Sequence, residues 1–142
     1  MVGSICRGIF VFAILLIPAL CFGQDAGPIR SSPAYAEVLL RKTELQADLE
    51  AFIESYTETN PKVVDARFEL AALDKSLERV FAVKATETGK LTLALGKLLV
   101  RRAALETEFA RLRRSYNADH PEVMRAKRRV EIFDVAIKDV LN

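Results

Sequence analysis

The sequence predicts an all-α protein: two tandem antiparallel helical hairpins forming a four-helix bundle or a coiled-coil-like assembly. Three observations predict it. Charged residues make up 28% of the 142 positions, with only 6 Gly and 5 Pro, and Ala, Leu, Glu and Arg dominate. That is the composition of long helices, not of a sandwich or barrel. Apolar residues recur at alternating steps of four and three, the spacing of a helical seam. The chain also repeats itself, without a gap, at an offset of 60 residues.

The repeat is visible residue by residue. Leu39-Leu40-Arg41-Lys42 lies over Leu99-Val100-Arg101-Arg102, and Ser55-Tyr56 through Asn60-Pro61-Lys62-Val63 lies over Ser115-Tyr116 through His120-Pro121-Glu122-Val123. The first arm carries Val38, Leu45, Leu49, Phe52 and Tyr56, with Lys42 in the one missing apolar place. Its copy runs Leu98, Arg102, Leu105, Phe109, Leu112, Tyr116, with a base at the same register. The second arm carries Val63, Ala66, Leu70, Leu73, Leu77 and Val80, and its copy Val123, Ala126, Val130, Phe133, Ile137 and Val140. The helical domain is therefore expected over 34–142, with repeat 1 at 34–85 and repeat 2 at 90–142.

Each turn has a local cause. Pro61 and Pro121 suit the first turn of a helix, where no intrahelical acceptor awaits the missing N–H. Each also drives the residue before it, Asn60 or His120, out of helical geometry. Asn60 can cap directly, and Asp119 with Glu122 has capping-box spacing. Tyr56 and Tyr116 are expected to plug the ends of the two seams. Between the copies, Thr86-Glu87-Thr88-Gly89 suits a helix stop and restart. A break there gives four helices, which is the favoured reading. The alternative is one continuous helix from about Pro61 to Ser115, roughly 80 Å long.

Residues 1–23 read as a secretory signal: Arg7, then an apolar stretch from Gly8 to Leu20, then small residues at Cys21 and Gly23. Cleavage after Gly23 and export to a periplasm or the exterior are expected. An uncleaved amino-terminal anchor is the alternative, but Gly8 to Phe22 is shorter than the ~20 residues that span a bilayer. Residues 24–33 read as a flexible leader. Cleavage removes both cysteines, Cys6 and Cys21, which excludes disulfide scaffolds, thiolate zinc sites and cysteine nucleophiles.

Little else points to catalysis. His120 is the only histidine, and its counterpart in the first copy is Asn60, which can cap but cannot titrate. A turn role accounts for both. Tyr56, Asn60, Pro61, Tyr116, His120 and Pro121 are accordingly read as structural turn residues. Glu50, Glu54 and Glu58 form a solvated strip, and no base stands near a nucleophile in any recognisable motif. No catalytic residue, cofactor or metal is expected, and the chain is not read as an enzyme.

Charge is more informative. Residues 24–90 carry 9 bases and 12 acids, whereas residues 91–142 carry 11 bases and 7 acids. Equivalent positions change sign: Glu54 with Arg114, Asp65 with Arg125, Glu69 with Arg129. Such hairpins are expected to prefer each other over themselves. Glu69 and Arg129 flank the seam, while Glu54, Arg114, Asp65 and Arg125 fall on outer faces, where direct bridges are not expected. Arg111, Arg113, Arg114, Arg125, Lys127, Arg128 and Arg129 surround the second turn, a candidate contact for a protein partner, an acidic polysaccharide or an anionic lipid surface. Nucleic acid is not expected of an exported chain without stacking aromatics among its bases. Leu39, Ile53, Leu99, Val64, Met124, Ala72 and Ile132 are apolar but lie off the seams, so each hairpin should pack further, against the other or across chains.

The pattern Leu105-x3-Phe109-x2-Leu112-x3-Tyr116-x3-His120-Pro121-x-Val123, with a first copy ending Tyr56-x3-Asn60-Pro61-x-Val63, resembles the periplasmic helical hairpin of bacterial polysaccharide co-polymerase and exopolysaccharide chain-length determinant proteins. The resemblance covers about residues 38–80 and 98–140. The sequence has no Gly-Lys-Ser/Thr phosphate loop and no pair of flanking membrane helices. The resemblance therefore implies an extracytoplasmic hairpin that binds other helices, and not a chain-length activity. The function expected is that of an exported, non-enzymatic helical scaffold or adaptor, associated with the envelope or with polysaccharide export. It would act on a protein partner or on itself; the alternative is an anionic-polymer or membrane-surface module.

Overall fold

The computed structural model describes residues 27–142, so the expected signal over 1–23 and residues Gln24–Ala26 lie outside the described residues. Within them the fold is all-α, with no strand. Helix α1 spans Gly27–Arg30, α2 Pro33–Ser55, α3 Pro61–Phe81, α4 Leu93–Ser115 and α5 Pro121–Leu141, and a 3₁₀ helix spans Ala85–Lys90. Each boundary of α2 and α3 recurs 60 residues later in α4 and α5. The long helices have 23 or 21 residues, or about 32–35 Å at 1.5 Å per residue.

Caps fix where these helices begin. Ser32 is extended, and its hydroxyl accepts from the Tyr35 amide at 3.3 Å. Thr92 does the same for α4, accepting from the Leu95 amide at 3.3 Å. Asn60 and His120 share one backbone conformation, φ −62° and ψ 134°. Asn60 Oδ1 accepts from the Lys62 amide at 3.0 Å and His120 Nδ1 from the Glu122 amide at 3.2 Å. Each cap satisfies one of the donors that a helix start leaves unpaired. The capping residue of α5 is thus His120, not Asp119 as its box spacing with Glu122 suggested. Pro121 forces His120 into the extended geometry a cap needs.

The break between the halves is real. Helix α3 ends at Phe81, Glu87 leaves helical geometry at φ −114° and ψ 16°, and α4 begins at Leu93. The chain doubles back here, so the continuous helix from Pro61 to Ser115 does not form. Both proline turns consequently lie at one end of the molecule. At the other end the Ala34 amide donates to the Leu91 carbonyl at 3.3 Å, and Lys90 Nζ reaches the carbonyls of Leu141 and Asn142 at 2.8 and 3.1 Å.

Residues 27–32 are folded where a tether was expected. Helix α1 buries Ile29 and packs near the 3₁₀ helix, and the buried Ser32 hydroxyl donates to the Ile29 carbonyl at 2.6 Å. One apolar side chain among polar neighbours was enough to dock the segment.

Helix α4 is the centre of the packing. It lies against α2, α3 and α5, while α2 also pairs with α3. Leu73, Val80, Leu91, Leu95, Leu99, Ala103 and Ile137 form the heart of the core. The approach of α4 to α2 is close because Gly96 has no side chain. A Cβ there would stand 2.8 Å from Glu37 Cβ and 3.0 Å from Ala34 Cα. Buried Ser76 and Thr107 keep their helices close as well, because each hydroxyl donates to a carbonyl of its own helix, Ala72 and Ala103, at 3.0 Å. No buried side-chain polar atom among the described residues lacks a partner.

Gly96→Ala is therefore expected to lower the thermal midpoint although alanine favours helices, because overpacking costs about 1–3 kcal/mol against a propensity gain of about 1 kcal/mol. Gly89, with open space around it, is the control: Gly89→Ala should leave the midpoint unchanged. Thermal unfolding followed by circular dichroism distinguishes the two.

Candidate functional site

The bases that interrupt the apolar seams are paired inside their own hairpins. Lys42 of α2 bonds Asp74 of α3, and 60 residues later Arg102 of α4 bonds Asp134 of α5, its Nε 2.8 Å from Oδ1. Asp134 also takes Arg79 of α3 at 3.2 Å, and Arg102 also takes Glu106 at 2.6 Å. Three helices are thus tied at one carboxylate. Burial pushes the Asp134 carboxyl up, but hydrogen bonds from Arg102 and Arg79 outweigh it and hold the group below its ordinary value. Burial likewise opposes charge on Arg102, and Asp134 with Glu106 overcomes it, raising that pKa. This network is a strut between helices.

The turn residues are structural, though not all in the manner expected. Tyr56 and Tyr116 do not plug the seams, since both are exposed. Each takes an extended conformation as its helix ends and lies over its turn. Tyr116 stacks on His120, ring centroids 4.2 Å apart, whereas Tyr56 accepts from Lys62 Nζ at 3.2 Å. His120 spends Nδ1 on its cap.

Four of the seven bases near the second turn are paired with acids. Arg114 crosses to Asp65 of α3, Arg125 bonds Glu122, Lys127 lies 3.7 Å from Glu131, and Arg129 lies 3.2 Å from Glu108. The Arg114–Asp65 bridge forms where none was expected, because α4 lies on α3 and turns an outer face of the hairpin into a joint. Glu69 and Arg129 both find partners within their own hairpins, Glu69 accepting from Arg41 at 2.8 Å. Arg113 sits over the Phe109 ring, 5.8 Å from its centroid. With Lys127 and Arg128 it borders an open groove floored by Phe109, Val123 and Met124. Arg111 instead faces a groove between α3 and α4, with Asp65 and Glu69 opposite.

Two uncovered faces are the more distinctive surfaces. Met124, Ile132 and Val135 stand exposed on α5, and Leu39, Leu40 and Ile53 on α2. Of the off-seam apolar residues, Leu99 and Ala72 are buried between the halves, while Leu39, Ile53, Met124 and Ile132 are not. The spacing showed that these residues had surplus apolar surface. It did not show which of them α4 would cover. Gly96 carried no sequence signal beyond being one glycine within a helical stretch, and its role is visible only in the packing.

Among the described residues no cluster of three His, Cys, Asp or Glu stands close enough to hold a metal ion, and no helix is long and apolar enough to cross a membrane. No family model, curated protein or solved structure matches the chain.

Substitutions at two positions probe these roles. Asp134→Asn should lower stability at neutral pH. Because the folded carboxyl titrates below its unfolded value of about 3.9, its contribution is present above that value and fades as pH falls through the folded one. The gap between wild type and variant, measured by denaturant unfolding across pH 2–7 (an approximate range), should therefore close on the acid side. His120→Asn should retain the α5 cap, whereas His120→Ala should cost about 0.5–2 kcal/mol in the same measurement.

Proposed function

We propose that this chain is an exported, non-enzymatic helical scaffold or adaptor that works through helix-to-helix contacts. The observation that carries the reading is the row of large apolar side chains left exposed on α5 and α2 of a well-packed core. Helices exchange partners through such rows, with apolar anchors supplying affinity and flanking charges setting orientation. The sequence resemblance to the hairpins of polysaccharide co-polymerase proteins supports the same use and suggests a place in the envelope.

A photo-crosslinking residue placed at Ile132 or Leu39 tests this in cells. The expected result is a discrete protein adduct at those positions and none at exposed Glu50. Absence of any protein adduct at both would remove the reading.

The groove bordered by Arg113, Lys127 and Arg128 favours a second reading, a contact for an anionic polysaccharide or lipid surface. Under it, changing Arg113, Lys127 and Arg128 together to Ser abolishes salt-dependent retention on anionic liposomes and on heparin. Unchanged retention eliminates it.

A further inference from the structure

The two halves of the chain meet through unlike faces. From the first half come Ala34 and Glu37 of α2, which meet Gly96, and a stripe along α3, in which Asp65 bonds Arg114 and Glu69 borders the groove beside Thr107, and Ala72 and Ser76 continue the stripe as buried residues. From the second half comes one side of α4: Gly96, Leu99, Ala103 and Thr107, all buried. Because the halves are related by 60 residues, each unlike face has a counterpart that the molecule does not use. The α3 stripe recurs on α5, the α4 stripe recurs on α2, and the places of Ala34 and Glu37 recur on α4 as the exposed Ala94 and Lys97.

Burial follows that logic. Ala72 is 3% exposed, whereas its counterpart Ile132 is 65% exposed; Leu99 is 1% exposed, whereas its counterpart Leu39 is 40% exposed. Thr43 and Ala47, counterparts of Ala103 and Thr107, are exposed too. A stack of repeats that ended here would be expected to carry polar outer faces. Both outer faces are instead apolar at their centres.

We propose that the protein assembles head to tail through copies of this internal joint, the α5 face of one molecule seating on the α2 face of the next. The proposal rests on the helix-contact reading above and names the partner as a second copy of this chain.

Charge favours that occupant. The internal bridge between Arg114 and Asp65 maps onto Glu54 and Arg125, with the signs exchanged and the attraction kept. Glu69, which borders Glu108 and Arg111 in the internal joint, maps onto Arg129, which would border Asp48 and Ala51. The basic α5 face thus meets an acidic α2 face at corresponding positions. Two α5 faces brought together would repel. Ala36 and Ile132 are bulkier than Gly96 and Ala72, so the joint between molecules is set wider than the one within. A contact between unlike faces does not close on itself in a dimer; it propagates into a ring or an open chain.

The test uses the purified protein in sedimentation velocity over a concentration series, with Ile132→Glu and Leu39→Glu as variants. Both positions are exposed, and far-UV circular dichroism checks that helicity is kept. Wild type should form species larger than a dimer, which weaken as salt rises. Each variant alone should be monomeric. Mixed together, the two should form a one-to-one dimer and stop, because each retains the face the other has lost. Should either variant lose its helicity, Arg125→Glu and the double variant Arg125→Glu with Glu54→Arg replace the pair, the first weakening assembly and the second restoring it. Monomeric wild type at every soluble concentration would overturn the proposal. So would a Leu39→Glu protein that keeps wild-type size while Ile132→Glu does not, since that pattern belongs to a symmetric α5 contact. If wild type is monomeric but Ile132 still crosslinks to a different protein in cells, the second-copy partner fails and the scaffold reading stands. If no adduct forms either, both fail.

Discussion

The close approach of α4 to the first hairpin is the constraint on which the rest of the molecule depends. A helix that must pack against three others has to be narrow on one side and apolar on two. Helix α4 meets both demands. Leu98, Leu105, Phe109 and Leu112 form its seam, and Leu95, Gly96, Leu99, Ala103 and Thr107 face the first half. Where backbones come this near there is no room for an unpaired polar group. The hydroxyls on this interface, Ser76 and Thr107, turn back to their own helices for that reason.

Polar contacts then orient what apolar contacts hold. Each hairpin carries one base within its seam and one carboxylate opposite it, Lys42 with Asp74 and Arg102 with Asp134. A buried or half-buried pair of this kind contributes little net stability, because desolvation offsets the attraction. Its effect is on register, since a slip along the helix would leave a charge facing hydrocarbon. Arg79 extends that control from the hairpin to the joint, because it reaches Asp134 from the other half. Two tandem hairpins built from nearly the same pattern need such a device to avoid settling at the wrong offset.

Duplication explains why the molecule is uneven at its two ends. When two similar units stack through unlike faces, one face of each is consumed and the other remains. The exchange of acids for bases between the halves fits this arrangement. It makes the inner joint attractive and leaves an acidic face on one end and a basic face on the other. Of the bases around the second turn, four are already engaged with neighbouring acids. That weakens their reading as a free polyanion patch.

The helices, their seams, the two proline turns and the interruption near Thr86 were all legible in the residue order. All of these arise from interactions within a few residues: periodicity, caps, and the backbone restrictions of proline. The same order determined that Asn60 and His120 do one job, because a shared position before proline demands a shared backbone. It did not determine which side of α4 would cover α3, that Ile29 would dock the leader, that Tyr56 and Tyr116 would lie out in solvent, or that Arg114 would reach Asp65. Those features follow from how the helices pack. Periodicity says that a side chain lies on a given face, but what meets that face depends on how closely two backbones approach, and here a single absent side chain at Gly96 sets that distance.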